Sequence, residues 1–324
     1  MSPMRKRLAA LCLAVLPALI AGPAAAQAPA KLAYPQKVVV LVTHSSPGAG
    51  SDVVLRGLVA YLQKYISATF VVENDEGGSG AKAVSRVAAA KPDGSMLYAT
   101  TPTYILTSLL SHPTNTYRDL EPVVNFFTDS EIIYVRAESP YKTLKDLIDH
   151  ARTARGRWGA ANPGSLERQA AEQLKIAAKV NAAVVSHEGG GDMMINVLNG
   201  TLDMGVGEMA EIRAQYEAHK VRVLATFNPV RMPALPDVPT VTESGYPVAL
   251  TKFRGLAGPK GLPPAIVKIW DEAAQKILAD PNYKKVYLGD DLAPHYMGHE
   301  EYGPFITKFA ADTANFLKST GVIR

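Results

Sequence analysis

Two glycine-bearing turns, each set between an apolar run and a helical pattern, gather the side chains of this sequence that could do chemistry. Ser46, Ser51 and Asp52 bracket Pro47, Gly48, Ala49 and Gly50 in the first turn. Residues 38–42 ahead of it are an unbroken aliphatic run, as expected of a strand covered on both faces. Behind it Val54, Leu58, Tyr61, Leu62 and Tyr65 recur at helical spacing, and Ser51 or Asp52 is expected to cap that helix. Such a unit aims free backbone N–H groups and the positive end of a helix dipole at whatever lies above the strand, which suits a carboxylate or a phosphate. A plain structural turn of an α/β domain reads the same way. No lysine follows the glycines to make a GxxxxGK[ST] loop, and there is no GxGxxG. A second unit of this kind has a short strand at 158–161, the turn Asn162-Pro163-Gly164-Ser165 and a helix over 166–178. Thr100, Thr101 and Thr103 follow a strand end at 96–100, where they could donate to a carboxylate or serve as turn hydroxyls.

Signals for catalysis are sparse. There is no GxSxG elbow and no HExxH, and the single cysteine, Cys12, lies in an apolar leader. His295 and His299 are spaced HxxxH, but Pro294 and Gly298 argue against a helix there, and a metal site is discounted. His44 and His187 follow strand ends, where a structural histidine is the commoner outcome. A Ser-His-Asp set assembled in space from Ser46 or Ser165 keeps a secreted hydrolase as an alternative. No cofactor is expected.

The elements that must position these residues fall into two groups. Residues 1–26 read as a cleaved secretory signal: Arg5, Lys6 and Arg7, an apolar stretch over 8–20, and Ala24-Ala25-Ala26 before the cut. The remaining 298 residues hold no cysteine, and losing three basic and no acidic residues lowers the formal charge from +4 to +1. A near-neutral chain gives no reason to expect nucleic acid as a partner. Strands alternate with helices from 37 to 100 and again from 131 to 226, which predicts parallel sheets. Residues 228–247 are proline-rich and irregular. Residues 253–257 are extended, and helices follow from Pro264, from Pro281 and over 300–319, with no strand expected after residue 279. The expected fold class is therefore α/β with two lobes joined by a two-strand hinge: lobe 1 from 27–128 and 252–324, lobe 2 from 129–251. The cleft between such lobes is the default ligand site.

The chain resembles the extracytoplasmic solute receptors of tripartite tricarboxylate transporters, the Bug-type receptors. The resemblance covers essentially the whole chain after the leader. It is carried by YPQKVVVLVTHSSPGAGSD, VVENDEGGSGAKAVSRVAAAKPDGSMLYAT, SPYKTLKDLI, HEGGGDMMINVLNGTLDMGVGE, MPALPDVPTVTESGYP and FRGLAGPKGLPP in that order. It implies a periplasmic binding protein-like fold (type II), a periplasmic location and no catalysis. It also implies a monomer that closes on a small organic anion, usually a carboxylate, and delivers it to integral membrane permease subunits through the outer rims of both lobes. A sensory module serving a membrane kinase is the alternative with the same cleft. Carried over, the ligand loops are Ser46, Gly48, Ala49, Gly50, Ser51 and Asp52 in lobe 1, and Asn162 to Arg168 in lobe 2. The family places a serine and then a histidine at the start of the second helix; Ser165 matches, whereas Arg168 stands where histidine is usual, so a different partner geometry is expected.

A cation in the first helical turn opposes the dipole at a cost of some tenths of a kcal/mol to about 1 kcal/mol. Either a bidentate grip of Arg168 on a ligand carboxylate or a pair with Glu172 or Glu167 would offset it. By the resemblance Glu208 lines the cleft, where it could accept from a ligand hydroxyl or amine, pair with Arg168, or cap a helix. Thr101 completes the ligand set.

Overall fold

A computed structural model describes residues 31–324, and the expected leader over 1–26 lies outside the described residues. The aliphatic run forms β1 (Val38–Thr43), with Val39, Leu41 and Val42 fully buried. Helix α1 (Gly50–Tyr65) has Ala49 at its N-cap with no side-chain cap, so Ser51 and Asp52 sit inside the first turn instead of capping it. Asp52 reaches back over the turn. Its carboxylate accepts from Gly48 N, Arg56 Nε and Asn74 Nδ2, each at 2.9 Å. Gly48 takes a φ of +81°, which only glycine adopts without strain.

Then follow β2 (Thr69–Asn74), α2 (Ala81–Ala88), β3 (Met96–Thr100), α3 (Pro102–Ser111) and β4 (Leu120–Asp129). Neither α3 nor β4 shows in the hydrophobic pattern. The α3 sequence is buried over its first seven residues and so has no polar face to set a period. In β4, Pro122 and Asn125 interrupt the aliphatic run. The chain then enters a second sheet with β5 (Ile132–Arg136), α4 (Leu144–Thr153) and β6 (Gly156–Ala160). A capping box starts α4, with Thr143 and Asp146 satisfying each other's backbone N–H groups. Elements α5 (Leu166–Ala178), β7 (Ala182–Ser186), α6 (Gly190–Leu198), β8 (Met204–Gly207), α7 (Met209–Glu217) and β9 (Val221–Thr226) complete this lobe. The chain returns with β10 (Lys252–Pro259) and ends in α8 (Pro264–Ala279), α9 (Pro281–Gly289), β11 (Ala293–Met297) and α10 (His299–Ser319).

The first lobe holds a six-stranded sheet in the order β11-β4-β10-β3-β1-β2, the second a five-stranded sheet in the order β7-β6-β8-β5-β9. The sheets are mixed, which corrects the expectation of parallel ones. β1 lies parallel to β2 and β3, but β10 runs antiparallel to both β3 and β4, because it re-enters from the second lobe in the opposite sense. In the second lobe β6 is parallel to β7 and β8, while β5 is antiparallel to β8 and β9. The C-terminal strand β11, also unexpected, is a short edge strand against β4. It is mostly exposed and so has no apolar alternation to read.

Each sheet carries its own apolar core. Trp270 of α8 packs with Leu41, Leu58 and Phe127 in the first lobe, and Trp158 with Ile133, Leu147 and Leu174 in the second. Two segments cross between the sheets, one at Ser130–Glu131 and one at 227–251. Near the C-terminus Leu317 joins Leu106 and Leu166 in a small cluster that links α10, α3 and α5. Among the described residues no helix is long and apolar enough to cross a membrane.

Candidate functional site

The first turns of five helices meet at one cavity between the sheets. Gly50 and Ser51 of α1 line it with Thr101 and Thr103 at the start of α3. From the second lobe come Ser165 and Glu167 at the start of α5, Gly189 and Gly190 at α6, and Glu208 and Glu211 at α7. The arrangement follows from the strand–turn–helix units: each strand ends at the cleft, so each following helix points its N-terminus there. The lobes are drawn close together. A Cβ placed on Gly189 would lie 2.0 Å from Ser46 Oγ, so this approach needs glycine. The enclosed space is about 20 Å³. That is room for about one water, so a larger guest enters only when the lobes part.

The expected ligand residues divide into two sets. Ala49, Gly50, Ser51, Thr101, Asn162, Ser165 and Glu208 line the cavity. Thr101 is 2% exposed and Asn162 7% exposed, and the Oγ1 of one and the Oδ1 of the other have no hydrogen-bond partner. Ser46 Oγ, beside Gly189, is also buried and unpartnered. Gly48, Asp52 and Arg168 are engaged elsewhere. Gly48 and Asp52 close the α1 turn on each other. Arg168 turns from the cavity toward β7 and its own helix, where its guanidinium donates to Val184 O (3.3 Å), Ser186 Oγ (2.8 Å) and Glu172 Oε1 (3.2 Å). Of the two readings of Arg168, the pair with Glu172 is the geometry present. Ser165 caps α5 by accepting from Arg168 N.

The turn before α1 is not left open. Gly50 N donates to Glu211 Oε1 of the second lobe at 2.7 Å, so a side chain of the protein already sits at the N-terminus of α1. A Cβ on Gly50 would come within 2.6 Å of Glu208 Oε2, which explains glycine at this position.

Behind the cavity lies a buried charge cluster. Lys252 Nζ contacts Glu131 (3.2 Å), Glu167 (2.7 Å) and Glu208. Arg254 contacts Asp129 (2.5 Å), Glu208 (3.2 Å) and Ser51 Oγ (3.2 Å). Burial pushes the Glu131 carboxyl well above the usual range. Burial pulls Glu167 the same way, but the Lys252 charge and hydrogen bond outweigh it and hold that carboxyl low. Burial works against the charge on Lys252, and Glu131 and Glu167 more than restore it, raising its pKa. Glu211 is pushed up to about 8 by burial and by the charge of Glu167, against the Gly50 N–H that favours its ionised form.

Glu167, Glu211, Lys252 and Arg254 were not singled out for the cleft from the sequence. The available signal was positional. Lys252, Phe253 and Arg254 alternate along one strand, so both cations share a face while Phe253 takes the other. Glu167 and Glu211 fall in the first turns of helices that follow strand ends.

The histidines serve the scaffold. His44 Nδ1 meets Tyr98 OH at 2.7 Å, and burial with the nearby Lys252 charge lowers its pKa to about 4. His187 bonds to Asn196 and to Ala160 O. His295 lies in β11 and His299 opens α10, so HxxxH does not share a helix. Thr100 is paired with Tyr302 at 2.6 Å. Among the described residues neither Ser46 nor Ser165 is hydrogen-bonded to a histidine.

Two α/β lobes with a polar cavity at converging helix N-termini define a ligand-capturing receptor of the periplasmic binding-protein class. Residues 54–322 match the model of the tripartite tricarboxylate transporter family receptor, and the chain belongs to that family. It is 29% identical over 298 residues to the UPF0065 protein in the gbd 5′ region of Cupriavidus necator, covering 91% of this chain and 89% of that one. It is 25% identical over 328 residues to Protein BugT of Bordetella pertussis, covering 98% of each. Among solved structures, a periplasmic transporter superposes with a TM-score of 0.84 at 25% identity, over 90% of this chain and 99% of that one. An R. palustris protein with adipate superposes with a TM-score of 0.84 at 24% identity, over 89% and 98%.

Proposed function

We propose that this protein is a periplasmic solute receptor that captures a small organic acid between its lobes and hands it to the membrane permease of a tripartite tricarboxylate-type transporter. The observation that carries the reading is the pair Thr101 and Asn162. These buried polar side chains, one from each lobe, face a shared cavity with hydrogen-bonding capacity unused. Buried polar groups without partners are costly, and a guest that satisfies both would favour the closed form. Amides at the starts of α3 and α6, with the hydroxyls of Ser46 and Thr101, would receive a carboxylate. The adipate carried by the R. palustris relative supports an acid as guest. The signal-like N-terminus supports export, and the rims of both lobes, in register only when closed, would meet the permease.

A thermal-shift screen of the purified protein against mono-, di- and tricarboxylates tests the reading. A binding acid at a hundred times its Kd should add about 2.7 kcal/mol to the stability of the folded state. No upward shift with any acid would overturn the assignment.

A further inference from the structure

The seats that would hold a second carboxylate are already taken by the protein's own acids. Five carboxylates (Asp129, Glu131, Glu167, Glu208 and Glu211) gather around two cations, Lys252 and Arg254. Lys252 is shared among three of them and Arg254 between two, so both cations already lie against the protein's own acids. Oxygens of Glu131, Glu167 and Glu208 lie within 4.8 Å of one another. Glu208 Oε2, on a residue 1% exposed, and Glu167 Oε2, on one 6% exposed, have no donor, and Asn162 Oδ1 on the same cavity wall has none either. Carboxylate oxygens only accept, so what completes this wall must donate.

We infer that the wall formed by Glu167, Glu208 and Asn162 is a donor-recognising pole, so that the guest is an organic acid that also carries a protonated amine. The inference rests on the receptor reading for its acid end. Elsewhere on the cavity lining, the Thr101 hydroxyl and the N-termini of α3 and α6 take the carboxylate. The Glu167–Glu208 side takes the ammonium. A plain dicarboxylate would set further acceptor oxygens against acceptors that already lack donors. An ammonium supplies the missing donors.

Paired probes that differ only in the amine test this: succinate against aspartate, and glutarate against glutamate, with 1,5-diaminopentane as an amine lacking any carboxylate. Calorimetry on the intact protein should show the amino-bearing member of a pair binding at least about tenfold more tightly. Glu208→Gln should erase that preference. Asn162→Leu, which leaves the charge cluster intact, should reduce it if the Glu208 variant does not fold. Tighter binding of succinate or glutarate overturns the inference and leaves the receptor reading standing. Binding of the diamine alone keeps the donor pole and overturns the acid reading. Binding by none of the five overturns both.

Discussion

Thr101 and Arg168 show how residue type and placement diverge. Both were expected at the ligand, and only Thr101 faces the cavity, because the Arg168 side chain is drawn back along α5 by Glu172, Ser186 and the Val184 carbonyl. Thr101→Val keeps the shape and removes a hydroxyl that bonds to nothing in the protein. It should weaken the bound acid about tenfold, measured by calorimetry, with the melting temperature unchanged or slightly raised. Unchanged affinity would take Thr101 out of the site. Arg168→Ala should cost about 1 kcal/mol of stability in urea unfolding, since its ion pair is partly solvated. Its ligand affinity should stay within about twofold; a tenfold loss would put the guanidinium back at the guest. At this scale the sequence revealed residues whose place on the cavity follows from position in a strand–turn–helix unit, such as Asn162, Ser165 and Glu208. It hid Lys252 and Glu131, whose meaning comes from partners far away along the chain.

The N-terminus of α1 is capped by an element of the other lobe. Ala49 offers no side-chain acceptor, and Glu211 of α7 supplies one at Gly50 N. With its pKa raised from 4.5 to about 8, Glu211 holds a proton when folded that it would release when unfolded. Its contribution to stability is therefore full below about 4.5 and is lost as the pH rises to about 8. Glu131, raised by burial, acts with the same sign. His44, lowered from 6.5 to about 4, has the opposite sign and acts only below about 6.5. Lys252, facing the same cluster with its pKa raised by Glu131 and Glu167, stays charged throughout this range. Between about pH 6.5 and 8 the unfolding free energy should fall, at up to about 1.4 kcal/mol per pH unit for one proton, and the melting temperature with it. Glu211→Gln should flatten that fall; an unaltered slope would place the proton elsewhere. The strand and helix runs of both lobes were legible because burial on one face leaves a period. Helix α3, buried almost all round at its start, and the exposed edge strand β11 leave none.

The whole molecule closes through ion pairs that span the lobes. Lys252 of β10 holds Glu167 and Glu208 of the second lobe, and at the rim Arg213 of α7 reaches Asp291 at 2.9 Å. Lys252→Met would leave Glu131 and Glu167 without a counter-charge and Glu208 with Arg254 alone. It should destabilise the protein by about 3–5 kcal/mol in urea unfolding, and a loss under about 1 kcal/mol would mean that water already reaches the cluster. That two sheets would form was readable from the second strand–helix alternation, over 131–226. The mixed strand directions were not, because they depend on where β10 re-enters.

If the protein is the receptor proposed, the cavity at the five helix starts opens for a small organic acid and closes over it. A crystal structure of the protein with an acid found in the thermal screen decides this. The acid should be bound to Thr101 of one lobe and Asn162 of the other. An acid lodged outside the cleft, with Glu211 still on Gly50 and both side chains unpartnered, would contradict it.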